Sequence, residues 1–289
     1  MAKKTDRNDP KDKGINKVGG TDLAWLQNIE GDTSLSSLQQ HVIVPRLKVL
    51  QGSSDPALKE QFGEGVVLMS PGNTEVAAAG DYFAFVPLHF HTEYAKWSDR
   101  KDTDNPMIMA RSYDPTSDLA KRCENPDLRS EIYEGDEKLK DDKKKRYYRY
   151  VKSFHFVGRV YGEHPLAGQE TTLTFAKGEH GQGRNFITAC SLRRQEIATE
   201  SGSASRRVPV PLWAQVWMIK TSIRQKGTNA WYGYDFSAGE PPIIMSDDAA
   251  EFQARSMELA EAFEQRRLVI DGAVDDDEGE GEGTEGSKF

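Results

Sequence analysis

The stretch KLKDDKKKRYYRYVKSFHFVGRVYG, Lys138 to Gly162, decides how this chain folds. From Tyr147 onward it is dense in β-branched and aromatic residues, whose side chains fit a pleated surface, so it reads as a strand. With a period of two, Tyr148, Tyr150, Lys152, Phe154 and Phe156 share one face, and Tyr147, Arg149, Val151, Ser153, His155, Val157 and Arg159 share the other. Both faces mix rings with cations. Unpaired bases expose π faces and phosphates attract cations, so such a strand suits single-stranded nucleic acid. The bland reading stands beside it: Tyr and Phe on a strand also pack in cores, and Lys143 to Arg146 also fit a solvated turn.

A second block repeats the recipe. In IKTSIRQKGTNAWYGYDF, Ile219 to Phe236, the cations Lys220, Arg224 and Lys226 precede Trp231, Tyr232, Tyr234 and Phe236. Arg184, Arg193, Arg194, Arg206 and Arg207 lie between the two blocks. The nucleic-acid-binding set read from the sequence is therefore Lys144, Lys145, Arg146, Arg149, Lys152, Arg224 and Lys226 for phosphates, with Tyr148, Tyr150, Phe154, Phe156, Trp231 and Tyr234 for bases.

Working outward, further strands are expected in HVIVPRLKVLQG (His41 to Gly52), where Pro45 favours an edge or bulge, in VVLM (Val66 to Met69), in DYFAFVPLHFH (Asp81 to His91), in Thr171 to Lys177 and in Pro209 to Thr221. Short helices are expected at Asp22 to Leu26 and Ser34 to His41. Lys101 to Asp142, with Pro106, Pro115 and Pro126, reads as a long polar excursion holding a short helix near Asp118 to Cys123. One longer helix is expected over 246–267: Ser246 caps it, Asp247 and Asp248 suit its positive end, Phe252, Leu259, Ala260 and Phe263 share a face, and Arg266 and Arg267 sit in the last turn. The fold class is therefore mainly β (α+β): an antiparallel barrel of the OB type with long loops, a C-terminal helix and disordered ends.

Charge divides the chain. Of the formal −8, the segment Asp271 to Phe289 carries −7, eight carboxylates against Lys288, while the preceding 270 residues hold 37 cations and 38 acids. Gly interleaved with Asp and Glu cannot bury apolar area, so residues 271–289 read as a disordered acidic tail. Residues 1–20 read as a disordered basic arm, and 21–270 as a β-rich nucleic-acid-binding domain. No run reaches the ~20 apolar residues of a membrane helix, and the first twenty residues lack the apolar segment of a signal peptide, so a cytoplasmic location is expected, the host cytoplasm for a phage product. Cys123 and Cys190 have no CxxC partner and are expected as free thiols.

Chemistry-bearing motifs are sparse. His89, His91 and Glu93 alternate in HFHTE and would share a strand face, but no further ligand cluster accompanies them, so no metal is assigned. EHGQGRNF, Glu179 to Phe186, lacks the phosphate-loop pattern, and no activated Ser or Cys context is present. Neither catalysis nor a cofactor is expected.

In its tail the chain resembles phage-type single-stranded DNA-binding proteins, which join an OB-fold body to an acidic C-terminus ending in Phe. The matching residues are Asp275, Asp276, Asp277, Glu278, Glu280, Glu282, Glu285 and Phe289. VPRLKVLQG (Val44 to Gly52) and FVPLHFHTEYAKW (Phe85 to Trp97) are also similar to stretches of uncharacterised tailed-phage proteins. The resemblance implies a protein that coats single-stranded DNA without sequence preference, as a possible homo-oligomer. It also implies a tail, with Asp275, Asp276, Asp277, Glu278 and Phe289 as contacts, that recruits replication or recombination proteins such as a polymerase, helicase or recombinase. The alternatives are a virion structural or assembly protein and, third, a metal-dependent nuclease.

Overall fold

The computed structural model describes residues 43–99, 108–135, 145–198, 205–240, 242–243, 246–265 and 269–270. The expected basic arm, the helices at 22–26 and 34–41, Lys144 and the acidic tail lie outside the described residues. The strands are β1 (Ile43–Val44), β2 (Arg46–Val49), β3 (Val67–Ser70), β4 (Thr74–Ala77), β5 (Phe83–Trp97), β6 (Ile108–Ser112), β7 (Ser130–Glu134), β8 (Arg146–Tyr161), β9 (Glu170–Ala176), β10 (Arg194–Ala198), β11 (Ser205–Pro209), β12 (Trp217–Lys226), β13 (Asn229–Ala238) and β14 (Val269–Ile270). The helices are α1 (Pro56–Phe62), α2 (Asp118–Glu124), α3 (His180–Leu192) and α4 (Ala249–Glu264). None of the described helices is long and apolar enough to cross a membrane.

The central stretch forms β8, a strand of 16 residues, and it pairs antiparallel along most of its length with the 15 residues of β5. Pro87 has no N–H for the ladder, and the register shifts between Pro87 and His89. Around this ribbon the main sheet runs β13-β12-β5-β8-β9-β2-β3-β4, with β6 on the far half of β5 and β7 on the far half of β8. The fold is mainly β with a C-terminal helix, as expected, but the sheet is mixed and does not close as an antiparallel barrel. β2 runs parallel to β9, and β14 parallel to β1. Where the two ends of the sheet approach, side chains join them in place of a ladder. Thr221 Oγ1 donates to the Gly65 carbonyl at 2.7 Å, and the Gln51 amide exchanges hydrogen bonds of 2.7 and 2.8 Å with the Tyr232 backbone.

The alternation read from the sequence holds, and it sorts the two faces of β8 into different environments. Phe154 and Phe156 point into the main core with Phe175 of β9 and Phe186 of α3, and Tyr150 packs with Tyr94, Ala120 and Cys123 beneath α2. On the opposite face Val157 joins Val86 and Leu88 under Phe252 and Leu259 of α4. Burying each such side chain contributes roughly 1.5–3 kcal/mol. Helix α4 thus covers one half of the second face and leaves the other half open.

Local differences from the expectations have local causes. Helix α4 begins at Ala249 after Asp248; the Ser246 hydroxyl donates to the Ile243 carbonyl at 2.8 Å instead of capping. The polar excursion holds β6 and β7 besides α2, whose N-cap Ser117 accepts from the Ala120 N–H at 3.2 Å. Pro45 falls between β1 and β2, and its carbonyl accepts from Thr172 N–H and the Thr171 hydroxyl. Cys123 and Cys190 are free and buried, and burial pushes their thiols up to about 11 and about 12.

Candidate functional site

Burial corrects the stacking set read from the sequence. Phe154, Phe156, Tyr150 and Tyr234 are 5%, 1%, 5% and 4% exposed, so in this fold they are core rings, closed to a ligand. The Tyr150 hydroxyl donates to Glu131 at 2.5 Å, and burial together with that bond pushes it up to about 12. Tyr148 is stacked on Tyr133 with 4.2 Å between centroids, and Lys96 Nζ lies 3.8 Å from its ring. Trp231 is half-buried and donates to Glu179 at 2.9 Å.

Several of the predicted cations already have protein partners. Lys152 meets Glu124 at 2.6 Å; Arg224 meets Asp235 at 2.5 Å and the Tyr234 carbonyl at 2.9 Å. Lys145 is buried, and Lys145 and Arg146 both interact within the protein. Arg149 and Lys226 are exposed, Lys226 at the end of the β12–β13 hairpin. Of the predicted tail contacts, Asp275, Asp276, Asp277, Glu278 and Phe289 lie outside the described residues.

The open half of the second face holds a cleft of about 270 Å³. It crosses five neighbouring strands. Val151, Ser153 and His155 of β8 form the floor, since each points away from the Phe154 and Phe156 side. One wall is built from Glu93 and Trp97 of β5 with Ile108 and Arg111 of β6, and the other from Thr174 and Ala176 of β9, Lys177, and Arg46 and Lys48 of β2. The register explains this gathering: Glu93 sits opposite Ser153, Ser153 opposite Ala176, and His155 opposite Thr174. Arg149, opposite Trp97, adds an exposed cation on the same face of β8.

Four cations face one carboxylate in this cleft. Glu93 is paired with Arg111 at 2.9 Å, both side chains under a tenth exposed. Burial raises the Glu93 carboxyl above its usual range, and Arg111 and then Arg46 oppose that rise. His155 is pushed down to about 3 by burial, with Arg111 and Arg46 adding to the shift, so it is neutral at pH 7. The Arg46 and Lys48 side chains make no hydrogen bond and no ion pair within 4 Å among the described residues. The local field is therefore positive, and it lies beside the half-buried Trp97 ring, which has Lys177 Nζ 5.9 Å from its centroid. A positive cleft with apolar walls and a ring suits an anionic ligand that carries a flat heterocycle.

Behind the cleft, under the end of α4, lies a histidine stack. His91 is parallel to His155 at 5.1 Å and to Phe263 at 4.4 Å, with His89 at 5.6 Å and Tyr113 edge-on. Burial first, then His155 and His89, pushes His91 down to about 2. His89, His91 and Glu93 do lie near one another, yet Glu93 is committed to Arg111, and among the described residues no group of three His, Cys, Asp or Glu is arranged to hold a metal.

Sequence reasoning therefore found the strand and its period, and the rings Tyr150, Phe154, Phe156 and Tyr234 that it assigned to bases are buried. Part of the cleft was readable. In PRLKV, Arg46 and Lys48 alternate with Leu47 and Val49, which is the period of a strand with one cationic face. Arg111 gave no such signal, because its short strand lies in a polar, Pro-punctuated stretch.

Residues 18–266, which include every residue lining the cleft, match the family described as Pam3 phage gp34-like protein. No curated protein and no solved structure matches the chain. The chain belongs to the Pam3 phage gp34-like family, a family of phage proteins.

Proposed function

We propose that this phage protein is a non-catalytic single-stranded DNA-binding protein, and that the strand runs through the cleft between β2 and β6. The observation that carries the reading is the concentration of Arg46, Lys48, Arg111 and Lys177 in one cleft with the Trp97 ring, with the Arg46 and Lys48 side chains making no ion pair within 4 Å among the described residues. Cations along a groove neutralise phosphates, and a ring in the same groove stacks a base, a combination that tolerates any sequence. The acidic residues 271–289 supply the second half of the proposal: a polyanion that recruits replication or recombination proteins.

The test is a binding titration with labelled single strands, duplex and RNA across salt. Each phosphate neutralised on a single strand contributes about −0.7 to the slope of log K against log salt, so Arg46, Lys48 and Lys177, the cleft cations other than the Glu93-paired Arg111, give a slope of about −2. Single strands should bind more tightly than duplex of the same sequence. Equal affinity for both, or no binding at low salt, would refute the proposal and favour a structural or assembly role in the virion.

A further inference from the structure

The cleft floor holds two polar atoms, His155 Nε2 and Glu93 Oε1, with no hydrogen bond among the described residues. His155 is 7% exposed, and its Nδ1 is 3.0 Å from Thr174 Oγ1, while its Nε2 has no hydrogen-bond partner. Glu93 Oε1 is 4.0 Å from that Nε2, and the other carboxylate oxygen, Oε2, forms the ion pair with Arg111 Nε at 2.9 Å. With Nδ1–H donating to Thr174, Nε2 of the neutral ring is an acceptor. Two acceptors 4.0 Å apart are the right distance for one NH2 group to donate a proton to each, and the neighbouring Arg111 guanidinium is a donor for an acceptor beside that group.

What carries the NH2 group follows from the field. Arg46, Lys48, Arg111 and Lys177 repel an ammonium or guanidinium, so the donor has to be a neutral amine on an otherwise anionic molecule. A flat amine suits the lining as well, because the apolar side chains of Trp97, Ile108 and Val151 border the cleft. We propose that this floor is a base-reading pocket that takes a nucleobase with an exocyclic amino group, bridged between Glu93 Oε1 and His155 Nε2, and rejects thymine and uracil, which lack that group. The proposal rests on the single-stranded DNA reading and adds to it a base preference at one position of the bound strand. Rejection has a physical source: a carbonyl in place of the amine faces a carboxylate and a lone pair, leaving both acceptors unpaired.

Oligodeoxycytidine and oligodeoxyuridine of about twelve nucleotides, a length within one groove's site size, differ in the base by amine against carbonyl at C4 and by a lone pair against N–H at the adjacent N3. Fluorescence titration of the full chain at neutral pH should show the cytidine strand binding about five-fold to about a hundredfold more tightly, the range of one bidentate base contact. In His155→Phe, which keeps a ring against His91, and in Glu93→Gln, the ratio of the two affinities should fall towards one. Equal binding of the two strands to the wild-type chain overturns the base-reading pocket and leaves single-stranded DNA binding standing. If neither strand binds, the single-stranded DNA reading fails, and titration with CMP and UMP, followed through Trp97 fluorescence, decides the pocket alone. A CMP preference upholds the pocket; equal or absent binding overturns it.

Discussion

Acidification should unfold this protein through the histidine stack between β5, β8 and the end of α4. His91 and His155 are buried and neutral, pushed down to about 2 and about 3, whereas both titrate near 6.5 once unfolded. Their folded values are depressed, and the charged form is the one that burial disfavours. The unfolded chain therefore binds more protons below pH 6.5, and stability falls as pH falls. Between pH 7.5 and 5.5 each of the two costs about 1.4 kcal/mol, or about 2.7 kcal/mol together. The groups around them set the margins. His89 is shifted down by burial and adds loss of the same sign. Glu93, raised by burial, takes up a proton in the folded state and offsets part of this loss, while Arg111 and Arg46 oppose its protonation. The loss should therefore be about 2.7 kcal/mol from His91 and His155, increased by His89 and reduced by Glu93. Urea unfolding midpoints at the two pH values measure it. In His91→Phe, whose ring stacks on Phe263 as the imidazole does, the pH slope should fall by one proton's worth, about 1.4 kcal/mol per unit. A flat wild-type profile, or a slope that His91→Phe leaves unchanged, would refute the argument.

Phe156→Ala removes a core ring that is 1% exposed and should cost about 3–5 kcal/mol in denaturant unfolding, with the salt slope of DNA binding unchanged in the folded fraction. Gly183→Ala should destabilise although Ala is the better helix former, because the added Cβ would lie 2.7 Å from Phe154 Cδ2 and 2.8 Å from Phe175 Cβ; overpacking of this kind costs about 1–3 kcal/mol against a propensity gain of about 1, and the melting temperature reads the difference. Deleting Asp271 to Phe289 should raise affinity for single strands, most at low salt, since the tail leaves the body after β14, which pairs with β1 two residues from Arg46; fluorescence titration of both forms across salt checks it.

Glycine at 183 also shows why part of the fold was hidden in the sequence. EHGQGRNF gives no helix signal because Gly lowers helix propensity by about 1 kcal/mol, yet His180–Leu192 is helical, and Gly183 is small where the helix approaches the Phe154 and Phe175 rings. Tertiary packing outweighed propensity there. Strand β8 was legible because sixteen residues repeat one period. Which of its faces was interior was not, since that depends on where α3 and α4 dock. A face of Tyr, Tyr, Lys, Phe and Phe offers stacking in isolation and becomes core once Phe186 packs on it. The cleft combines residues 46, 93, 111, 155 and 177, which the β2–β9 parallel pairing and the β5–β6 hairpin bring together. No local pattern announces pairings so distant in sequence.

The central claim is that DNA runs along the cleft and not along the ring face of β8, and two substitutions on opposite faces separate these. Trp97→Ala removes the ring in the cleft, and Tyr148→Ala removes the ring stacked on Tyr133 on the other side. Affinity for a labelled single strand, measured on both variants at fixed salt, should fall by about 1–3 kcal/mol in Trp97→Ala, the worth of one stacked base, and stay at the wild-type value in Tyr148→Ala. Loss of binding in Tyr148→Ala with Trp97→Ala unaffected would contradict the account.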